Sequence, residues 1–324
     1  MAAQLFSIKE PDGTKISGDL VEAQIVPIFS KGDTLAQLGL IYPAPAAKFQ
    51  QVRIPAPLRI FAQDYVFSVN DSGMTPDTPQ VDLNLIEMNK TAYAAMVSET
   101  LDQGLWSQTG QIRASVITSI AEAYADTMLV DYLTELDRVL KVNKETNMLV
   151  LPAKAMADDI DRSTAHKVVK QVQAIIRQYR QTITKHRKGL PNDQIRLLGS
   201  YEYIDALANA YAVLGYKPEY IENKYVEGTK TLSVNGMEIT PFYPLGTNIT
   251  AKKLHKTKKV DMTNYHLIAI TRFVLPMIKG NLEIFANKLP VGNNFVNGAK
   301  GYYGYKLFDV FQKDVFGIVK AKPV

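Results

Sequence analysis

The feature that most constrains this chain is a series of extended apolar segments near its start, followed by one very long helix. Short apolar runs broken by turn formers occupy residues 24–61, and a second extended run at 81–88 follows a turn-rich tip at 68–80. A helix is predicted over 107–141. A two-stranded hairpin is marginally stable alone in water, so its apolar face has to be buried on another surface. A neighbouring copy of the same chain is the favoured surface, which makes assembly the leading hypothesis.

The composition is typical of a folded protein and excludes several kinds of chemistry. Of 324 residues, 46% are hydrophobic and 21% are charged, which suits one large domain or two of ordinary size. A net charge of +5 is too small to identify a nucleic-acid binder by itself. The chain has no cysteine, which excludes disulfides, thiolate zinc sites, iron–sulfur clusters and a cysteine nucleophile.

Targeting and membrane signals are not evident. Residues 1–9 lack the charged and apolar regions of a signal peptide, and the lack of cysteine fits a reducing cytoplasm. No apolar run approaches the roughly 20 residues that span a bilayer. The closest run, 268–278, is interrupted by Arg272 and Pro276, so no membrane partner is expected.

Three helices are predicted from apolar periodicity and capping residues. In the long helix, apolar side chains recur at helical spacing over about 30 residues, or roughly 45 Å. A second helix is predicted over 163–188, with Asp161 or Ser163 as its cap. A third begins at the cap Ser200 and ends at Gly215.

The predicted strands are mixed with the helices without regular alternation. They lie at 52–54, 81–88, 195–198, 266–270 and 282–286, in the two halves of a hairpin that turns at Asn235-Gly236, and in a long and a short strand within 300–320. Irregular mixing of this kind favours an α+β fold over a doubly wound sheet.

In this order, the elements resemble the major capsid protein of tailed double-stranded DNA phages, which has the Hong Kong 97-type fold. The resemblance covers nearly the whole chain but depends on the order of elements more than on diagnostic residues. The segments that carry it before the long helix are Ile25-Val26-Pro27, Leu38-Gly39 and the strand end Ile54-Pro55. After the helix, it depends on the strand–helix pair at 195–215, the hairpin at Asn235-Gly236-Met237 and the terminal strand at 302–309.

The resemblance implies an order of segments along the chain. These are an N-terminal arm (1–40), an extended β-hairpin loop (41–95), a peripheral domain with the spine helix (96–155), an axial domain (156–290) and strands that return to the peripheral domain (291–324).

It also implies a structural function. The chain is expected to self-assemble into hexamers and pentamers of an icosahedral shell around the genome, with non-specific contact to packaged double-stranded DNA. Further expected partners are portal, scaffolding or decoration proteins. The expected location is the virion, after assembly in the host cytoplasm.

Two departures from the family pattern are informative. Some members join their subunits by isopeptide bonds from a lysine in the extended loop, but this chain has no lysine between Lys48 and Lys90. We therefore expect a shell without covalent cross-links. The chain also lacks a long, charged, helical N-terminal extension, so either any scaffolding function is expected from a separate protein or the extension was removed before this form.

No catalytic, cofactor-binding or metal site is predicted, and the chain is expected not to be an enzyme. The phosphate loop GxxxxGK(S/T), the dinucleotide pattern GxGxxG, the nucleophile elbow GxSxG and the zinc motif HExxH are all missing. The glycines at 298, 301 and 304 could form a ligand loop, but a flexible beginning of a strand is the preferred interpretation. Structural or surface roles are expected for Trp106 and for the histidines at 166, 186, 255 and 266.

Charged clusters have both functional and ordinary interpretations. The acidic run at 158–161 could bind a cation, although a loop that caps the next helix is favoured. Asp126, Asp131 and Glu135 could be carboxylates for acid–base chemistry, but a charged helix face is the favoured interpretation. Two basic sets could contact phosphates, form a solvated patch or pair across subunits: the lysines at 252, 253, 256, 258 and 259, and the helix face with Lys167, Lys170, Arg177 and Arg180.

Two alternatives to a phage capsid remain. An encapsulin-type compartment shares the expected fold and would be distinguished by gene neighbourhood. A cytosolic enzyme with an unfamiliar active site would elute as a small oligomer in size-exclusion chromatography, whereas a shell would elute in the void volume.

Overall fold

The computed structural model describes residues 8–9, 15–16, 35, 38, 40–43, 51–54, 84–87, 89–98, 110–144, 146–186, 195–222, 230–249, 257–271, 274–288, 295–307 and 314–320. Three helices lie in these ranges: α1 (Gly110–Val142), α2 (Arg162–His186) and α3 (Tyr201–Val213). The strands before α1 are β1 (Ile8–Lys9), β2 (Lys15–Ile16), β3 (Ile41–Pro43), β4 (Gln51–Ile54), β5 (Asn84–Glu87) and β6 (Lys90–Ser98). The strands after it are β7 (Met148–Val150), β8 (Ile195–Gly199), β9 (Glu219–Glu222), β10 (Lys230–Val234), β11 (Met237–Pro241), β12 (Asn248–Ile249), β13 (Val260–Asp261), β14 (Tyr265–Thr271), β15 (Met277–Lys288), β16 (Phe295–Tyr305) and β17 (Phe316–Val319).

A seven-stranded mixed sheet, in the order β7-β17-β14-β8-β11-β10-β9, separates two hydrophobic cores. Successive side chains of a strand point to opposite faces, and β14 shows the result clearly. Leu267 and Ala269 belong to the core shared with α2 and α3, whereas Ile268 and Ile270 belong to the core shared with α1. Both faces of the strand are covered, which explains why its centre, residues 267–270, is continuously apolar.

A four-stranded sheet, in the order β3-β15-β16-β6, packs against α1. The strands β15 and β16 form a long antiparallel pair, β3 lies parallel to the start of β15, and β6 runs antiparallel to β16. The face of α1 toward this core carries Tyr124, Met128, Tyr132 and Leu136, which recur every four residues and are fully buried. That spacing places them on one side of the helix.

Most predicted elements are confirmed, with ends that differ by a few residues. The helix predicted over 163–188 occupies 162–186, and the hairpin turn is confirmed by positive φ angles at Asn235 (52°) and Gly236 (71°). Ser200 caps α3, because its Oγ accepts a hydrogen bond of 3.2 Å from the Tyr203 backbone N–H. Gly215 follows α3 with a φ of 83°, which a glycine adopts without steric cost.

The sequence missed one strand and misplaced the start of another. The return strand predicted over 81–88 is confirmed at 84–87, and its other positions lie outside the described residues. A separate strand at 90–98 follows that the sequence did not indicate. The terminal strand begins at Phe295, so the three glycines lie inside a paired strand rather than in its flexible beginning. The hairpin tip at 68–80 lies outside the described residues, and the five segment boundaries stay a prediction.

Candidate functional site: the base of the extended hairpin

The extended hairpin is directly continuous with the body of the subunit. β4 pairs antiparallel with β5, with Gln51 opposite Glu87 and Ile54 opposite Asn84. Only two residues separate β5 from β6, and the Asn89 backbone N–H donates to the Glu87 carbonyl at 3.0 Å. β6 then pairs with β16 over its whole length. Because the turn is short and β6 is fully paired, the position of the four-stranded sheet fixes the direction in which the hairpin leaves the body.

Glycine at two positions of β16 allows this close packing. A Cβ added at Gly304 would lie 2.2 Å from the Glu87 carbonyl oxygen and 3.2 Å from the Ile86 side chain. A Cβ at Gly301 would lie 2.3 Å from the hydroxyl oxygen of Tyr124 on α1. Both distances are too short for any side chain. These glycines allow close backbone approach rather than form a ligand loop or a flexible segment.

A buried carboxylate joins the helix, the hairpin base and the sheet. Asp131 on α1 is only 4% exposed, and its carboxylate accepts a hydrogen bond of 2.6 Å from the Tyr303 hydroxyl of β16. It forms ion pairs with Lys258, which precedes β13, and with Lys90 at the start of β6, where the Nζ–Oδ2 distance is 3.8 Å. Burying a carboxylate without partners would cost several kcal/mol, so these partners are necessary. We call Asp131, Lys90, Lys258, Tyr303 and Tyr305 the hub.

Lys90 contributes to the hub through its charge and its position. Its Nζ lies 4.5 Å from the centroid of the Tyr305 ring, a cation–π distance. Partial burial lowers the pKa of Lys90, but Tyr305, Asp131 and Glu135 outweigh it and raise the pKa overall. Burial and the bond to Asp131 raise the pKa of Tyr303 well above its usual range. Lys90 therefore stays protonated and Tyr303 stays a hydrogen-bond donor at neutral pH.

The hub corrects two interpretations made from the sequence. Asp131 is not part of a solvated face, because it is buried beside the apolar stripe of α1. Lys258 pairs within its own chain, so the expected solvated patch or intersubunit pair does not apply to it. The lysines at 252, 253 and 256 lie outside the described residues. A sequence signal for the hub existed: Asp131 follows Tyr124 and Met128 at the spacing i, i+4, i+7, which places a charge on a buried face.

The end of the predicted arm is also anchored in its own subunit. Leu35, Leu38 and Leu40 are buried in the core beside α1. Arg196 of β8 is buried, and its Nε donates to the Leu38 carbonyl at 2.8 Å. The described part of the arm therefore joins the body close to residue 40.

One buried polar pair deserves separate consideration, because serine and histidine lie side by side. Ser200 Oγ is 3.4 Å from His266 Nδ1, and both residues are buried. Tyr203 stacks on the imidazole with a centroid distance of 6.1 Å. Burial, with the charge of Lys320, lowers the pKa of His266 to about 4. Because Ser200 Oγ already caps α3, the pair has a structural role.

The remaining candidates do not form a site among the described residues. Asp161 caps α2, since Oδ1 accepts from the Thr164 N–H at 2.9 Å and Oδ2 from the Thr164 hydroxyl at 2.7 Å. These bonds lower the pKa of Asp161, and Asp158 and Asp159 are exposed beside it. His166 is exposed on α2, whereas Trp106 and His255 lie outside the described residues.

Within the described part of the chain, no group of three or more His, Asp or Glu residues could hold a metal ion. No helix there has the length and apolar character needed to cross a membrane.

Comparison with solved structures shows the fold. The capsid structure of the cyanophage P-SCSP1u matches with a TM-score of 0.54 and 12% identity, over 87% of this chain and 86% of that chain. The capsid of a native GTA particle matches with a TM-score of 0.52 and 10% identity, over 90% and 91%. A structure of Gordonia phage Cozz matches with a TM-score of 0.50 and 11% identity, over 89% and 86%.

No family model and no curated protein matches this sequence. The structural likenesses confirm the predicted α+β, Hong Kong 97-type fold.

Proposed function

We propose that this chain is the major capsid protein of a tailed double-stranded DNA phage and has no enzymatic activity. It assembles into hexamers and pentamers of an icosahedral shell in the host cytoplasm and becomes part of the virion. The proposal is supported by the likeness to capsid structures over nearly nine-tenths of the chain. The hairpin base supports it further, because the buried hub and two glycines hold a two-stranded element that has little core of its own.

Assembly follows from many contacts that are individually weak. Each apolar contact between copies contributes roughly 25 cal/mol per Å² of buried area. Repeated with closed symmetry, such contacts give a shell of high collective stability. Portal, scaffolding or decoration proteins complete the particle, and packaged DNA makes non-specific contact with its inner surface.

Deletion of the hairpin tip, Asn70–Thr78, tests the proposal. We expect a folded subunit that no longer forms shells, because in the proposed shell the hairpin would contact a neighbouring copy through this tip. Negative-stain microscopy gives the assembly state, and circular dichroism confirms folding. As a control, replacing the same residues with a Gly–Ser segment of equal length separates loss of reach from loss of specific contacts. Intact particles from the deletion variant, or a wild-type chain that forms only small oligomers, would contradict the proposal.

The contents and covalent state of wild-type particles test its finer points. Particles from infected cells should contain double-stranded DNA, whereas a cargo protein would indicate a compartment of the encapsulin type. No lysine lies between Lys48 and Lys90, and Lys90 is paired with Asp131. Boiled particles should therefore run as monomers in a denaturing gel, and a ladder of cross-linked subunits would contradict a non-covalent shell.

A further inference from the structure

Helix α2 carries positive charges without any negative charge, and it takes no part in the hub at the hairpin base. Its 25 residues include six lysines and arginines and no aspartate or glutamate. The lysines and arginines that are exposed on it are Arg162, Lys167, Lys170 and Arg177. The opposite face carries Val168, Val172 and Ile175, which are buried against the seven-stranded sheet. The four exposed cations therefore lie on the solvent side of the helix, away from these buried residues.

This charge is not neutralised within the described part of the subunit. Arg162, Lys167, Lys170 and Arg177 form no ion pair with a described carboxylate, and the ion pairs found there are all made by α1. Solvated helix faces commonly combine both signs at spacings of three or four residues. Helix α1 does so in this chain, with pairs from Glu135 to Arg138 and from Asp137 to Lys141. The one-sign face of α2 is therefore not an ordinary solvated face.

The spacing of these cations fits an extended polyanion. Arg162, Lys170 and Arg177 are separated by eight and seven residues, which places them along one side of the helix. At 1.5 Å per residue, they extend over roughly 22 Å. Duplex DNA presents about one negative charge per 1.7 Å of axis, so a row of this length faces many phosphates. Gln173 between them and Gln178 at the edge add neutral hydrogen-bond donors.

The same face of α2 lacks the aromatic side chains that would favour single-stranded nucleic acid or another protein as the partner. It has no exposed aromatic side chain for stacking on single-stranded bases, since Tyr179 is buried. It also lacks the aromatic anchors that are enriched at the centres of protein interfaces. Those anchors lie elsewhere in the described structure, at the exposed tyrosines 201, 216, 220 and 243 around α3, β9 and the end of β11.

We propose that the exposed face of α2 binds the phosphate backbone of double-stranded DNA, which makes it the face of the subunit turned toward the shell interior. This inference rests on the proposed capsid function. It adds which surface of the subunit contacts the genome. Binding is sequence-independent and depends on salt, because the contacts are to phosphates and not to base edges.

The test compares two triple variants with the same change in net charge. The α2 variant is Lys167→Gln, Lys170→Gln and Arg177→Gln. The control variant is Lys144→Gln, Lys217→Gln and Lys306→Gln, whose lysines are also exposed but lie outside α2. Fluorescence anisotropy measures binding of a 30-base-pair duplex to the full-length chain, kept unassembled at low concentration. Circular dichroism checks that helix content is retained, since glutamine is a good helix former.

We expect the α2 variant to bind the duplex on the order of 100-fold more weakly at 0.1 M salt. The slope of log K against log salt concentration should become smaller in magnitude by about 3, because each lost phosphate contact reduces that slope by about 0.9. The control variant should change affinity far less. A charge-retaining variant, Lys167→Arg with Lys170→Arg, should bind like the wild type.

Several outcomes would overturn the inference. Unchanged duplex binding by the α2 variant would do so, and so would equal losses in both triple variants, which would reflect net charge alone. An α2 variant that keeps duplex binding but forms no shells would identify the face as a contact with a second copy. If wild-type protein forms no shells yet binds duplex through α2, the inference stands and the proposed capsid function fails.

Discussion

Gly304 and Gly301 show how single residues control the position of the hairpin. Gly304 meets a backbone carbonyl, whereas Gly301 meets the side chain of Tyr124. No substitution can remove the backbone carbonyl that lies against Gly304, but the Tyr124 side chain against Gly301 can be replaced by a smaller one. The two positions should therefore respond differently to a compensating substitution.

Alanine at either glycine should destabilise the subunit by about 1–3 kcal/mol, because a methyl group is forced into occupied space. Adding Tyr124→Leu should recover part of the loss caused by Gly301→Ala, but none of the loss caused by Gly304→Ala. Urea unfolding of the unassembled chain measures both effects. Equal rescue of the two alanine variants would show that Gly304 does not contact the turn as described.

At the scale of elements, the hub joins α1 to strands that are distant in sequence. Asp131 contacts Lys90 of β6, Tyr303 of β16 and Lys258, which precedes β13. A buried charge with several partners is satisfied in one arrangement only, so it specifies how the helix lies across the sheet. The neighbouring pair of Glu135 and Arg138 is more exposed and lies within a single helix.

Asp131→Asn should lower the free energy of unfolding by about 1–3 kcal/mol, since it removes the charge while keeping the shape. Glu135→Gln is the matched control, and its loss should stay below about 1 kcal/mol, as for other exposed ion pairs. Denaturant titration of both variants measures the difference. The hub would have no special role if the two substitutions cost the same.

At the scale of the whole molecule, the seven-stranded sheet lies between two cores and buries titratable groups within the body. His266 lies in this sheet with a pKa lowered to about 4 by burial and by Lys320. The unfolded chain therefore binds more protons than the folded chain between pH 6.5 and 4, and stability falls as the pH falls. Asp126 acts in the opposite direction, because burial and Glu122 raise its pKa to about 6.

At pH 5, His266 should reduce stability relative to neutral pH by about 2 kcal/mol, and Asp126 should offset part of that loss. His266→Gln should make stability less dependent on pH, and Asp126→Asn should make the loss on acidification steeper. Urea unfolding of unassembled subunits between pH 7 and 4.5 measures both slopes. Parallel curves for the wild type and His266→Gln would show that the imidazole does not titrate as described.

Helices were easier to predict than the sheet to which they belong. A local apolar period and caps such as Asp161 and Ser200 define α2 and α3 over ten or more consecutive residues. Strand β6 gave no such signal, because Lys90–Ser98 has no clear alternation and is held in place by β16, about 200 residues later. The hub was not predicted from the sequence for the same reason: the partners of Asp131 are distant along the chain, and Lys258 lies 127 residues away.

The sequence by itself determined most of the elements, including the two hairpin strands and the long helix, because each depends on patterns among neighbouring residues. Only the tertiary structure decided how the hairpin is held and which helix face remains charged toward solvent. Those features depend on contacts between distant segments, such as Gly304 with Glu87 and Asp131 with Lys258. A single sequence gives the residue types of such pairs but does not show which distant residues are in contact. Those contacts depend on how the whole chain packs.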